Sequence, residues 1–260
     1  MEDKMIVTPV KISVLRPPQD DLLQKIKKSK LKLREGDIVV ITSKVVGIWQ
    51  GRCIPQEAVR NKDVVAKQEA EQYLDRRGGH VLQTITNGVL ISSAGVDASN
   101  GNGYYILWPE NLPAVTQRLL EWFKREYRVK KLGLIITDSR SIPLRRGTIG
   151  FALTWAGFEP LYDYRKKKDV FGKKLKVTQM NLADSLAAAA VLMMGEAGEQ
   201  TPLTVIRAAP RIQFILGPRA ASKRNYQSVV VPMKEDLFAP FLRSVRWKKG
   251  RSGIRFPRLG

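Results

Sequence analysis

The sequence predicts an α+β fold, and three observations carry that expectation. Short apolar runs that read as buried strands are mixed with helical patterns, without regular βαβ alternation. Neither GxGxxG nor GxxxxGK[ST] occurs, so the chain is neither a Rossmann nor a P-loop protein by motif. No repeat or low-complexity linker divides the 260 residues, which suffice for a sizeable core.

The elements follow in order. MIVTPV (5–10) reads as an opening strand, and DDLLQKIKKSKLKL (20–33) has apolar residues at helical spacing with basic residues on the other face. Gly36-Asp37 form a turn before a buried strand, Ile38 to Ile41. Residues 63–77 read as a helix that stops at Gly78-Gly79. HVLQTITNGVLISSAGVDASNG (80–101) resembles a hairpin turning at Asn87-Gly88 and running into a polar loop. TQRLLEWFKREY (116–127) is an amphipathic helix, and Leu132 to Ile136 a buried strand followed by a polar loop. NLADSLAAAAVLMMG (181–195) is a helix ending at Gly195. TPLTVIR (201–207) is a strand, and SVVVPM (228–233) a further candidate strand. WKKGRSGIRFPRLG (247–260) reads as a basic, weakly structured tail.

Composition narrows the function. The longest apolar run, LAAAAVLMMG (186–195), is half the roughly 20 residues that span a bilayer, so no membrane partner is expected. The N-terminus lacks a signal-peptide pattern, and the single cysteine, Cys53, excludes an internal disulfide; a cytoplasmic location is expected. The net charge is +21, and residues 206–260 hold 13 Lys/Arg against Glu235 and Asp236. Such a surface suits anionic partners such as nucleotides, phosphorylated coenzymes or nucleic acid; a generally basic proteome would give the same charge. Trp247 and Phe256 among the basic residues of the tail could stack on bases, although no nucleic-acid module is present.

Two loops share a design. Each follows a buried strand and presents an aspartate: Asp97 in SAGVDASN (93–100) and Asp138 in ITDSRSIPLRRG (136–147). With Asn100 and Ser139 they form a hard-oxygen set suited to magnesium or manganese, ions that bridge nucleotide phosphates. Arg145 and Arg146 follow closely and could clamp a phosphate or carboxylate. Read alone, SAGVDASN is equally a simple turn. His80, after a glycine pair, suits a surface turn, and Cys53 a small core position; no nucleophilic Ser/His or Cys/His set is apparent.

Taken in order, the segments resemble the coenzyme F420:L-glutamate ligase family over roughly residues 5–207. The resemblance rests on GDIVVITSKVVG (36–47), on SAGVDASN where the family reads NAGVDxSN, and on residues 136–165, where it reads SDTxGRPWRxGxxxxAIGxAGxxPLxDYRG. It continues through DVFGKKLKVT (169–178) and NLADSLAAAAVLMMG, similar to DxxGRxLxVTxxAxADELAxAAxLVMG. The family attaches glutamate to a phosphate-bearing deazaflavin precursor using GTP, through an acyl phosphate. The resemblance implies that Asp97, Asp138 and Ser139 bind the divalent metals. It implies that Ser43, Asn100 and the loop Ser13, Val14, Leu15 contact the nucleotide. It further implies a homodimer and a two-lobed fold: a first lobe of 1–79 with 177–232, a second lobe of 80–176 carrying both aspartates, and a basic tail, 233–260.

The departures are specific. Where the family reads QKVVSKAEGR, this chain reads SKVVGIWQGR, so the nucleotide-binding lysine is Ile48, its serine Gly47 and the glutamate Gln50. Isoleucine cannot pair with phosphate, and Lys44 or Arg52 is the available substitute. The glycine after Asp-Tyr-Arg is Lys166, and Ser185 replaces a helix glutamate. Three readings follow: glutamate ligation onto the deazaflavin coenzyme, the same chemistry on another carboxylate acceptor such as a folate, or a nucleotide- or coenzyme-binding protein that has lost catalysis.

Overall fold

The computed structural model describes residues 4–75, 81–217 and 228–251. His80, Gly78-Gly79 and Phe256 lie outside them.

The most apolar segments make a five-stranded mixed sheet. Its strands are β1 (Ile6–Val10), β2 (Ile38–Thr42), β8 (Gly133–Arg140), β9 (Ile149–Ala156) and β12 (Leu203–Arg207), in the order β1-β12-β2-β8-β9. β2 and β8 run parallel, with Ile38 opposite Gly133 and Thr42 opposite Thr137; the other pairs are antiparallel. These strands read as continuous apolar runs because both faces are covered. Val39, Ile41, Leu134 and Ile136 face α1 (Leu22–Lys27), α2 (Ser43–Trp49) and α4 (Leu112–Tyr127). Ile38, Val40 and Ile135 face α5 (Leu182–Met194). Asp184 ties α5 to the sheet by accepting the Ala152 amide at 2.9 Å.

A second sheet, β13-β4-β5-β6, joins β4 (Gln72–Tyr73), β5 (Gln83–Thr86), β6 (Val89–Ser92) and β13 (Lys248–Lys249). α3 (Lys62–Glu69) packs Val65 and Ala66 under it. Two ribbons complete the fold: β3 (Cys53–Pro55) with β7 (Tyr104–Ile106), and β10 (Leu161–Asp163) with β11 (Gln179–Asn181). The short α6 (Ala239–Leu242) precedes β13.

The α+β class is as the sequence predicts. The Asn87-Gly88 hairpin forms with φ of 50° and 68°, the paired left-handed geometry of a tight two-residue turn. Several boundaries differ. The helix expected over 20–33 covers only Leu22–Lys27, and that over 63–77 stops at Glu69, because Gln72–Tyr73 pair with β5 instead. Residues 228–233 form no strand. Within the tail, Lys248–Lys249 form a strand that extends the small sheet, and Lys248 pairs with Asp75. The main sheet also crosses the expected lobe boundaries. Residues 38–42 and 133–156, assigned to different lobes, lie in one sheet because an apolar strand such as β2 needs a partner on each edge.

Candidate functional site

The Asp97 loop is built by an unusual backbone. After β6, Ser93, Ala94 and Gly95 all have positive φ (51°, 54° and 72°). Two of the three are not glycine, a conformation that persists only when its surroundings enforce it. Thr84, fully buried, does so: its hydroxyl accepts the Ala94 amide at 2.8 Å and donates to the Ile91 carbonyl at 2.6 Å. Gly95 is required for a second reason, since a Cβ there would lie 2.1 Å from the Trp108 ring. The turn delivers Asp97 to a two-way backbone bridge with Ile106, at 2.9 and 2.8 Å.

Asp97 is engaged on both oxygens. Its Oδ1 accepts the Ser99 amide and its Oδ2 the Ser99 hydroxyl, both at 2.8 Å. Lys44 Nζ lies 2.7 Å from Oδ2 and also reaches Ser99 Oγ and the Ser99 carbonyl. Burial acts to raise this carboxyl, but the Lys44 charge and the Ser99 donors outweigh it and hold it below the ordinary range.

Asp138 comes from β8 itself. The strand runs to Arg140, beyond the expected end at Ile136, so Asp138 and Ser139 are strand residues rather than loop residues. The Trp108 indole N–H donates to Asp138 Oδ2, and the Ser139 amide to Oδ1 at 2.8 Å. Burial pushes this carboxyl up to about 6; the Asp97 charge adds to the rise, while the two donors and Lys44 oppose it. The two aspartates and Lys44 therefore feel one another. Ser139 alternates to the other side of the strand, where its hydroxyl donates to Glu196 at 2.6 Å.

The loop after α5 closes the arrangement. Asn100 Nδ2 donates to the Ala197 carbonyl at 2.9 Å, and the Ile12 amide to the Gln200 carbonyl at 3.1 Å. The segment before Ser13 is thereby anchored beside it. Ser13 and Val14 are exposed, whereas Leu15 is a core residue. Ser43 opens α2 and is buried. Arg145 and Arg146 sit on the exposed loop 141–148.

The position read as a lost lysine has a structural explanation. Ile48 is 3% exposed and belongs to the main core, while Gly47 faces the Leu107 carbonyl, where a Cβ would approach to 2.5 Å. α2 thus lies close against the chain at Leu107. Arg52 does not replace the lysine: it donates to the Trp108 carbonyl and pairs with Glu69 and Glu110. Lys166 has a φ of 71°, which accounts for the glycine expected there. Cys53 is half-buried and its thiol is raised to about 11 by burial.

The donor chemistry fits a hard divalent cation. Among the described residues no three His, Cys, Asp or Glu side chains converge as a ready-made ligand cage. The two carboxylates suit magnesium, which takes few protein ligands and completes its shell with water and phosphate oxygens. Ser139, expected as a third ligand, is turned to Glu196 on the other side of β8, because successive strand residues alternate faces. Lys44 already sits on Asp97, so a metal ion at this carboxylate has to compete with the ammonium.

The family profile described as F420-0:Gamma-glutamyl ligase matches residues 10–208. The chain belongs to that family. It is 34% identical over 233 residues to a protein from Methanopyrus kandleri named coenzyme F420:L-glutamate ligase, covering 83% of this chain and 92% of the relative. Relatives of the same name from Methanococcus maripaludis and Archaeoglobus fulgidus are 33% and 32% identical. They cover 70% and 77% of this chain, and 79% and 86% of their own lengths. Trp108, Glu196 and Arg140 are the residues near this site that motif reading passes over. Trp108 carried a signal, as an apolar aromatic flanked by turns, but nothing in the sequence pairs it with Asp138.

Proposed function

We propose that this chain is a nucleotide-dependent amide ligase that adds L-glutamate to a carboxylate of the deazaflavin coenzyme precursor F420-0, with GTP as co-substrate. The observation that carries the reading is the Lys44–Asp97 ion pair at 2.7 Å, whose two charges also act on the buried carboxyl of Asp138 from a separate strand. The names of the relatives supply the substrate class.

In this reading the acceptor carboxylate attacks the γ-phosphorus of GTP, and GDP leaves. The glutamate amine then attacks the acyl carbon of the resulting acyl phosphate, inorganic phosphate departs with the bonding pair, and the amine loses a proton. Asp97 and Asp138 would hold magnesium or manganese, which would supply neutralisation of the phosphate charge. Ser139 faces Glu196 on the other side of β8 and would have to turn to join them. Lys44 binds the nucleotide phosphate when released from Asp97. Ser43 and Asn100 line the nucleotide side, with the Ser13–Leu15 segment adjacent. Arg145 and Arg146 approach from their exposed loop as anion clamps. No protein nucleophile is needed; positioning and electrostatics supply the rate. A homodimer is part of the proposal, supported by the exposed apolar side chains Leu144, Val170, Phe171 and Val177 between β8 and β11.

The test is incubation with GTP or ATP, magnesium or manganese, glutamate and candidate acceptors, read by mass spectrometry. Gain of one glutamyl residue on F420-0 supports the reading, and gain on a folate alone moves the chemistry to another acceptor. Bound nucleotide without any transfer supports a binding protein, the reading favoured by the burial of Ile48.

A further inference from the structure

We propose that Arg140 is an oxyanion-binding residue, one that holds a phosphate oxygen of a ligand lying on the Asp138 face of β8. The inference deepens the ligase reading and rests on it for the identity of the ligand.

Its position follows from the sheet. Asp138 is directly opposite Phe151 in the β8–β9 pairing, and Arg140 opposite Ile149. Cross-strand partners and residues two apart share a face, so Asp138, Phe151 and Arg140 project to the same side. The contacts agree. The Arg140 guanidinium carbon lies 4.8 Å from the Phe151 ring centroid, and Phe151 is tilted against Trp108 with centroids 6.3 Å apart. Trp108 in turn donates to Asp138. An aromatic wall therefore links the guanidinium to the carboxylate.

The side chain is half-buried yet has no counter-ion. Among the described residues no carboxylate pairs with Arg140, and its buried Nε has no hydrogen-bond partner. Neighbouring acids are engaged elsewhere: Asp97 by Lys44 and Ser99, Asp138 by Trp108 and Ser139, Glu196 by Ser139. A structural arginine withdrawn from water is ordinarily paired, because an unfilled buried donor is costly. The Phe151 ring, 4.8 Å from the guanidinium carbon, holds the group against the aromatic wall and leaves its Nε–H without a protein partner. Planar and permanently charged, the guanidinium matches the paired oxygens of a phosphate. Two sources offer that group: the nucleotide phosphates and the phosphodiester of the acceptor.

The experiment compares wild type, Arg140→Lys and Arg140→Met by calorimetric titration with magnesium pyrophosphate, GDP with manganese, and F420-0. Circular dichroism and thermal melting report folding. The expected result is a loss of about tenfold or more in affinity for at least one ligand in Arg140→Met. Arg140→Lys, which keeps the charge but not the fork, should fall between. Loss confined to GDP and pyrophosphate assigns the nucleotide phosphates, and loss confined to F420-0 assigns the phosphodiester. Should Arg140→Met unfold, the lysine variant carries the test through the same affinities. Unchanged affinity for all three ligands in a folded variant, or no binding of any by wild type, overturns the proposal. Glutamate transfer by wild type is assayed separately. Its absence overturns the ligase reading, while the binding titrations still decide the role of Arg140.

Discussion

Lys44 Nζ, 2.7 Å from Asp97 Oδ2, competes with any metal ion for that oxygen. In Lys44→Met the competition ends: manganese alone should bind more tightly, and GDP more weakly because a phosphate partner is gone. Calorimetry on the two ligands separately checks both signs. Asp138 gives a pH-dependent expectation. Its folded-state value of about 6, raised first by burial, lies above the ~3.9 of an unfolded aspartate. The folded chain then holds the proton more tightly, so this group weakens the fold as pH rises from about 4 to about 6. A carboxyl raised from ~3.9 to about 6 corresponds to on the order of 2–3 kcal/mol. Asp138→Asn keeps an acceptor for Trp108 and removes the charge. Its new NH2 faces the Ser139 amide at every pH, so the pH-dependent sign is read from the difference: the melting temperature of the variant relative to wild type should rise from pH 4 to pH 7.5, and manganese should no longer raise it.

At the scale of elements, α2 shows why the departures at Gly47 and Ile48 belong together. Gly47 admits the Leu107 carbonyl and Ile48 fills the core beside it. Ile48→Lys should therefore fail to restore a phosphate contact and should destabilise the fold by about 3 kcal/mol or more, as an unpaired buried charge does. Denaturant unfolding of this variant, with nucleotide titration alongside, measures both effects. The elements legible in the sequence were those whose local chemistry suffices: β2 from its apolar run, the Asn87-Gly88 hairpin from its left-handed turn residues, and α5 from its alanine-rich stretch. The end of β8 was not, because TDSR is polar and becomes strand only by pairing with β9 across a bulge at Ile136/Thr137. The same limit applies to the site. Asp97 and Asp138 stand out by motif, whereas the Trp108 bond to Asp138 and the stacking of Arg140 on Phe151 depend on which strands become neighbours.

Across the whole molecule, the segment beyond the family match is built into the fold. Val230 packs over Gly88 so closely that a Cβ there would meet it at 2.5 Å, Gly250 sits against the Ala70 carbonyl, and β13 completes the edge of the sheet that leads into Asp97. A chain ending at Gly217 should lose amide protection at Gln72 and Tyr73 in hydrogen exchange while the central sheet stays protected. Retained protection there would show that β13 does not hold the edge. The net charge of +21 predicts that association with GTP slows as salt rises, measured by stopped-flow mixing from low to physiological ionic strength. The strand order carries one more consequence. β12 lies between β1 and β2, and β13 is laid on β4 from the far end of the chain. During synthesis the central sheet lacks the interior strand that joins β1 to β2 until residue 207 has left the ribosome, and β4 presents an open edge until residue 249 follows it. The nascent chain thus carries its Asp97 turn beside an unfinished sheet until a strand about 150 residues further along, β13, seals it.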